Sequence, residues 1–375
     1  MRVCVIYDCL YPWTVGGAER WTRRLAEGLA ADGHDVTYLT RRQWGEDDAP
    51  ALPGVRVVAV SPGGELYKPD GTRRFGPPLR FGLGVLRHLL RYRRDYDVVH
   101  TASFPFFALL AAAVAFGGPK RVDWHEVWPL AFWREYVGGA AGTVGWLVQR
   151  LCLAVPQRAY VFSAMNEGRL RDEGLRGAVV RLPGLYDGPL DGVDPEAAAA
   201  QREPLVLAAG RMLAHKRLTL VPGAAARAGV PATVLGDGPE RAAVQRAAAG
   251  AAVDVDVPGF VSGDELDAAL RRATCLVQPS AREGYGMVVV EAAAAGTPSV
   301  VVAGPETAAP ELVEEGVNGF VVDEPTEEAL AAGIRRVHEG GAALRRSTAA
   351  WFARRGPELS LAASVARVVR DYRES

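Results

Sequence analysis

In the stretch SAREGYGMVVVEAAAAGTP, residues 280–298, Glu283 stands just before a Gly-Tyr-Gly turn and Glu291 inside a run that is otherwise apolar. Burying an unpaired carboxylate is costly, so each glutamate needs a partner. A helix starting near Gly286 would leave its first N–H groups, from Gly286 through Met287 to Val288, without helical partners and turned toward an anion. Glu291 would then lie roughly 7 Å further along, at about 1.5 Å per residue. That offset matches a sugar, a diphosphate and a ribose laid in a row. A carboxylate accepts hydrogen bonds from neutral hydroxyls, which suits Glu283 to the sugar end and Glu291 to the ribose end. The plainer reading of Glu291 is a partly exposed helix position paired with an arginine.

Two further turns carry candidate chemistry. In AAGRMLAHKRL, Arg211 ends a strand-like run and Lys216 follows five residues later. The planar fork of arginine and the mobile point charge of lysine suit two adjacent phosphates. Only Lys68, Lys120 and Lys216 are lysines among 43 Lys plus Arg, so the residue type at 216 is informative. Two solvated cations on a loop are the alternative. In YPWTVGGAERW, Gly16 and Gly17 precede a helix and would let backbone N–H groups approach an anion. A glycine-rich turn without a ligand is the alternative there, and the absence of GxGxxG at this turn argues against a nicotinamide enzyme.

These turns need a scaffold. Strand-like runs alternate with helix-like segments along the whole chain, which predicts an α/β architecture with parallel sheets. RVCVIYD reads as a strand, GAERWTRRLAEGLAADG as a helix with Trp21, Leu25 and Leu29 at helical spacing that stops at Gly33, and HDVTYLT as the next strand. Further strands are expected at 55–60, 97–101, 121–124 and 159–163. Residues 183–204, dense in Gly, Pro and Asp, read as a linker that includes the Ala run 197–200. PLVLAAG, ATVLGDG, VDVDVPGF, CLVQPS, PSVVVAG and GFVV then continue as strands of a second doubly wound domain, and two such domains facing each other leave a cleft. A length of 375 residues favours this two-domain division, at 1–185 and 203–357.

Composition narrows the class. A net charge of −1 gives no reason to expect nucleic acid as a partner. Cys4, Cys9, Cys152 and Cys275 lack zinc or CxxC spacing and read as buried thiols of a reducing compartment. The N-terminus lacks signal-peptide features, so a cytoplasmic location is expected. The apolar run from Phe104 to Gly118 falls short of the about 20 residues of a membrane span and reads as a core helix.

In combination, GGAERW at 16–21, GRMLAHK at 210–216, GDGPER at 236–241, PGFVSGDEL at 258–266, PSAREGYGMVVVEAAAAGTP at 279–298 and ELVEEGVNGFVV at 311–322 resemble the retaining GT-B glycosyltransferases of family 4. The resemblance covers the C-terminal half and the first strand and helix, while the middle of the N-terminal domain departs from the pattern. It implies two Rossmann-like domains, an N-terminal one for the acceptor and a C-terminal one for a nucleotide sugar, with a last helix at about 358–375 crossing back. It implies that Arg211, Lys216 and the N–H groups of Met287 and Val288 hold the donor diphosphate, with Gly16 and Gly17 approaching the phosphate or the acceptor. Glu283, helped by the backbone of Tyr285 and Gly286, would hold the transferred sugar. Glu291 would hold the ribose, and Gly236, Asp237, Phe260 and Val261 would lie by the nucleobase. His125 in VDWHEVW matches the position of a histidine beside the donor sugar, accompanied by Glu126. His100 is its competitor, although a lone histidine is more often structural.

The resemblance implies no cofactor and no metal. A nucleoside diphosphate leaves readily once its charge is stabilised, and fixed cations and helix N–H groups supply that. In similar enzymes a leaving phosphate oxygen takes the acceptor's proton on the same face. The DVD at 254–256 resembles the metal-binding DxD of the other glycosyltransferase fold, but lies within an expected strand. The implied reaction moves a sugar to a hydroxyl of a small-molecule, lipid or glycan acceptor, with a natural-product (secondary-metabolite) acceptor slightly favoured. A catalytically silent nucleotide-sugar-binding relative and a GT-B-like epimerase are the alternatives. On the acceptor side, residues 73–94 can form a helix with Phe81, Val85, Leu86, Leu89 and Leu90 inward and Arg80, Arg87, Arg91 and Arg94 outward. That basic face is either solvated or a peripheral contact with anionic lipid at the inner membrane face. Trp124, Trp128, Trp133 and Trp146 either wall an acceptor pocket or pack a core.

Overall fold

The structure is a computed structural model and describes residues 1–374 other than 15, 46–47, 67–73, 75, 201 and 203. The chain divides into two units, the first formed by Met1–Leu185 and the segment from Leu361 onward, the second by Tyr186–Ser360.

In the first unit, β1 (Arg2–Ile6), α1 (Gly17–Ala31), β2 (Asp35–Arg41) and β3 (Val55–Ser61) are followed by α2 (Gly76–Tyr92) and β4 (Val98–Ala102). Then come α3 (Phe106–Ala115), β5 (Lys120–Asp123), α4 (Leu130–Val137), α5 (Gly139–Leu153), β6 (Gln157–Val161), α6 (Ala164–Asp172) and β7 (Gly177–Arg181). The seven strands pair in parallel in the order β3-β2-β1-β4-β5-β6-β7. Central strands such as β1 and β4 bury nearly every side chain, as parallel strands covered on both faces do. The edge strand β7 is half exposed and mixed in pattern, which is why apolar runs alone do not reveal it.

The second unit contains α7 (Pro195–Ala199), β8 (Val206–Ala209), α8 (Val221–Ala228), β9 (Ala232–Leu235), α9 (Arg241–Ala249), β10 (Val255–Gly259) and α10 (Gly263–Arg272). It continues through β11 (Cys275–Gln278), α11 (Met287–Ala294), β12 (Ser299–Val302), β13 (Gly319–Val322) and α12 (Glu327–Arg355). Its six strands are parallel in the order β10-β9-β8-β11-β12-β13. Valines and alanines of these strands meet α8 and α12 in one core that includes Val206, Val234, Val277, Val300, Leu330 and Ile334.

Two local expectations change, and one of the two readings of the tryptophans is selected. The Ala run read as linker is helical: Asp194 caps α7, accepting from the N–H groups of Glu196 and Ala197 at 3.0 Å, and Arg345 of α12 donates to the Ala198 carbonyl at 3.0 Å. Leu90, expected inward on α2, is 52% exposed, because the face pressed into the core is that of Phe81, Val85 and Leu89. Positions 73 and 75 of that expected helix lie outside the described residues. Trp124 and Trp133 are core residues, with indole N–H groups donated to Gln157 and Gln149 at 2.8 and 3.3 Å.

The last helix, α13 (Leu361–Arg373), lies in the first unit beside α1, where Val365 occupies the space a side chain at Gly28 would need. Buried Asp371 accepts from Arg121, Arg158 and Tyr160, and Arg121 lies 3.9 Å above the Tyr372 ring. Burial opposes ionisation of Asp371, but the Tyr160 hydroxyl and the two guanidiniums outweigh it and hold the carboxyl below its ordinary range.

Candidate active site

Strand order in the second unit reverses between β8 and β11, and the carboxyl ends of the strands at such a switch point form a natural ligand crevice. The loop after β8 carries Arg211, His215 and Lys216; the loop after β11 carries Arg282 and Glu283. Ala281 N–H donates to the His215 carbonyl at 2.7 Å and joins the two loops. Lys216 Nζ then reaches Glu283 Oε2 at 2.6 Å, each side chain about one-fifth exposed (20% and 18%). Gln278, buried at the end of β11, donates to the same oxygen at 2.8 Å. Glu283 Oε1 meets no hydrogen-bond donor among the described residues, so the carboxylate is held through one oxygen. Its backbone is fixed too, by Glu283 N–H to the Glu306 carbonyl at 3.0 Å and by Ala308 N–H to the Glu283 carbonyl at 2.8 Å.

Positive charge is concentrated here. Burial, then Arg282, Lys216 and Arg211, push His215 down to about 3, so its imidazole is neutral and its Nδ1 faces Arg282 Nη2 at 3.4 Å. Arg282 is buried, whereas Arg211 is exposed and Lys216 partly so.

Beyond Glu283 the chain turns through buried Tyr285 to Gly286, the N-cap of α11, at φ 105° and ψ 48°. A side chain there would need the left-handed region and would crowd Ala309 and Leu312 at 3.3 Å, so glycine suits this turn. Helix α11 begins at Met287, one residue after the expected start, and Glu291 lies partly exposed on it. Tyr285, expected beside the sugar, has a buried side chain.

The loop after β9 interlocks with the loop after β8. Gly236, at φ 128°, lies so close to Gly210 that a Cβ would fall 1.9 Å from the Gly210 carbonyl oxygen. Met212 N–H donates to the Asp237 carbonyl at 2.8 Å. Gly236 N–H donates to the Gly259 carbonyl at 2.8 Å and ties in the turn that carries Phe260 and Val261. Phe260 is 77% exposed, an aromatic face open to solvent.

The remaining candidates belong to the first unit. Gly16 is the N-cap of α1, in extended conformation, and Gly17 is its first residue. The two histidines separate cleanly. His100 is buried, bonded to Tyr372 at 2.9 Å and to Asp123 at 3.0 Å, and stacked on Tyr160, a fully partnered structural group. His125 follows β5, stacks on Phe162 with centroids 5.7 Å apart, and its buried Nε2 has no hydrogen-bond partner among the described residues. Burial lowers its pKa against the opposing pull of Asp123 and Glu126, so the ring is neutral. Glu126 is exposed and accepts from the Trp128 indole at 2.7 Å.

Gln278, His215 and Arg282 were not singled out from sequence. Gln278 ends a strand that reads as plain core, so strand-end position was the only available signal; Arg282, directly before Glu283, offered a cation next to a carboxylate.

Two parallel doubly wound sheets of this kind define the GT-B class, and the whole chain superposes on a sucrose-phosphate synthase from Thermosynechococcus elongatus with a TM-score of 0.77 at 20% identity, covering 100% of this chain and 98% of that one. Family models match on both units, "Glycosyltransferase Family 4" over residues 15–183 and "Glycosyl transferases group 1" over 193–350. The chain belongs to glycosyltransferase family 4, a retaining GT-B family. It is 30% identical over 386 aligned positions to a GDP-mannose-dependent alpha-(1-6)-phosphatidylinositol monomannoside mannosyltransferase of Mycobacterium tuberculosis, across 91% of this chain and 92% of that protein. It is also 26% identical to a GDP-mannose-dependent alpha-mannosyltransferase of Corynebacterium glutamicum, across 86% and 77% of the two chains.

Proposed function

We propose that the chain transfers a hexosyl group, with retention, from a nucleoside-diphosphate sugar to a hydroxyl of a small-molecule, lipid or glycan acceptor. The observation that carries this reading is Glu283, clamped through Oε2 by Lys216 and Gln278 beside a basic cluster at the switch point. Glu283 Oε1 accepts from sugar hydroxyls. Lys216, Arg211 and the N–H groups of Gly286, Met287 and Val288 take the diphosphate, so Lys216 exchanges or shares its carboxylate contact when donor binds. Glu291 holds the ribose, while Gly236, Asp237, Phe260 and Val261 border the base. In the first unit, neutral His125 contacts the donor sugar, and the α1 end at Gly16 and Gly17 offers N–H groups to phosphate or acceptor. As the bond from sugar C1 to the phosphate oxygen breaks, the acceptor oxygen attacks C1 from the same face, and the departing phosphate oxygen accepts its proton. The developing negative charge meets fixed cations and N–H dipoles, with no metal assigned to the task.

GDP-mannose is the first donor to try, since both relatives described above are named for it. Ligands that bind only the folded state raise the melting temperature, so GDP-, UDP- and dTDP-sugars can be ranked by thermal shift and the best donor offered to trial acceptors. Stabilisation by one of them and an α-linked product from an α-linked donor are expected; a β-linked product would refute retention. Glu291→Ala is expected to weaken donor binding by about 10- to 100-fold, the usual loss for a hydrogen bond to a charged group. Titration calorimetry reads this directly, and an unchanged donor Kd would remove Glu291 from the ribose.

A further inference from the structure

His125 stands on a stretch of the first unit that has no regular structure. β5 ends at Asp123 and α4 begins at Leu130, and residues 124–129 between them form neither helix nor strand. Val127 is buried and His125, Trp128 and Pro129 are partly buried, so the peptide groups here need partners that a regular ladder would otherwise supply. Side chains supply them. Asn166, in the first turn of α6 and 1% exposed, donates through Nδ2 to the His125 carbonyl at 3.1 Å and accepts at Oδ1 from the Val127 N–H at 3.3 Å. Those two groups flank Glu126, and a residue of a parallel neighbouring strand would bond the same pair. The strand beside β5 is β6, and it has by then turned toward α6. Trp124 N–H still donates to the Tyr160 carbonyl at 2.8 Å, Phe162 and Ser163 follow, and Ser163 caps the helix by accepting from the Asn166 N–H at 3.2 Å. The Asn166 amide thus extends the pairing of β5 from a helix. Arg169, one turn on, donates to the Val127 carbonyl at 3.1 Å. The same short segment holds the His125 ring, which stacks on Phe162 at an interplanar angle of 2°, while Phe162 meets Trp21 edge-on with centroids 5.0 Å apart.

We propose that Asn166 is a positioning residue for sugar transfer: its amide fixes the backbone from which the His125 ring projects, and so presents that ring in one place to the donor sugar. The proposal rests on the reading above that His125 contacts the sugar. An uncharged amide offers a donor and an acceptor side by side, as a peptide does. An ionised aspartate would set an oxygen against the His125 carbonyl, and an aliphatic side chain would leave both peptide groups without their partner.

The test is steady-state kinetics, with the best donor, of Asn166→Ala, Asn166→Asp, His125→Ala and the two double variants in the full chain. Asn166→Asp keeps the volume and the acceptor for Val127 and loses only the donor to His125. Both Asn166 variants are expected to lower kcat by about 10- to 30-fold, within the range that a small misplacement of a reacting group costs, while the donor KM stays within about threefold. In the His125→Ala background neither should lower kcat further, because residues that act as one unit give non-additive losses. Gln149→Met separates positioning from stability. Buried Gln149 accepts from the Trp128 N–H and the Trp133 indole and donates to the Trp128 carbonyl, all beyond His125 in the same stretch. Its loss should depress the melting temperature at least as far as the Asn166 variants do, with kcat within about threefold of wild type. A readout without substrate is the proton NMR signal of the His125 ring, identified by its absence from His125→Ala, which should shift in both Asn166 variants. Wild-type turnover in the Asn166 variants beside a slow His125→Ala would overturn this proposal alone, and wild-type turnover in His125→Ala would overturn the sugar contact with it. Losses that multiply in the double variants, an equal loss of kcat in Gln149→Met, or an unmoved His125 signal would each overturn the positioning role.

Discussion

Lys216→Ala is expected to lower kcat by on the order of 10²-fold or more, the scale seen when one preorganised donor to developing charge is removed. Lys216 Nζ is already within 2.6 Å of Glu283 Oε2, and with the neighbouring Arg211 and Arg282 it acts on the partly buried imidazole of His215. A phosphate entering this loop would meet a charge fixed in place rather than one recruited from solvent. At about 4 Å and an effective dielectric of about 20, such a contact is worth on the order of 4 kcal/mol before desolvation. The fold should tolerate the change, because Glu283 keeps its bond from Gln278 and its backbone ties to Glu306 and Ala308. Lys216→Arg should recover part of the rate. Steady-state kinetics with the best donor decides the matter: turnover at the wild-type level in Lys216→Ala would sink the diphosphate assignment, whatever happened to KM.

Asp371→Ala is expected to destabilise the first unit by about 3–5 kcal/mol, the usual cost of removing one partner of a buried ion pair. The carboxylate is 6% exposed and accepts from Arg121, Arg158 and Tyr160. Without it, Arg121, buried against Tyr372, and Arg158 both lose the carboxylate they share. The pH dependence has a definite sign. The folded-state pKa of Asp371 lies below its unfolded value of about 3.9, so its contribution is fully present above that value and fades as pH falls through the lowered one. Wild-type stability should therefore drop more steeply than that of Asp371→Ala in acid. Urea unfolding at neutral and acid pH measures both effects, and a loss under about 1 kcal/mol at neutral pH would show that the network is not a structural clamp.

How much of the candidate site could be read from the chain depends on the range of the relationships involved. The placement of Glu283, Gly286 and Glu291 follows from nine consecutive residues, and the structure keeps that local order with a one-residue shift in the helix start. Arg211 and Lys216 stood out through residue type after a strand. His100 and His125, by contrast, look equivalent in sequence, since each follows or ends an apolar run. His100 is a structural residue because Tyr372, 272 positions away, bonds its ring. The outward turn of Leu90 has the same origin: α2 has more apolar positions than one face can bury, and packing against β3 and α3 chooses among them. Gln278 was hidden for a similar reason, because its partner lies on a loop whose path a strand pattern does not describe.

What the sequence by itself determined is the alternation of strands and helices, the glycine that opens α11, and the loops in which the charges lie. These are consequences of side-chain periodicity and backbone freedom, which act over a few residues. Tertiary structure alone decided that Lys216 and Glu283, 67 positions apart, touch, that Arg121 and Asp371 close a buried network across 250 positions, and which side of α2 faces solvent. Those outcomes depend on strand order and on how layers pack. A pairwise distance between remote residues is a property of the assembled sheet, and no local pattern encodes it.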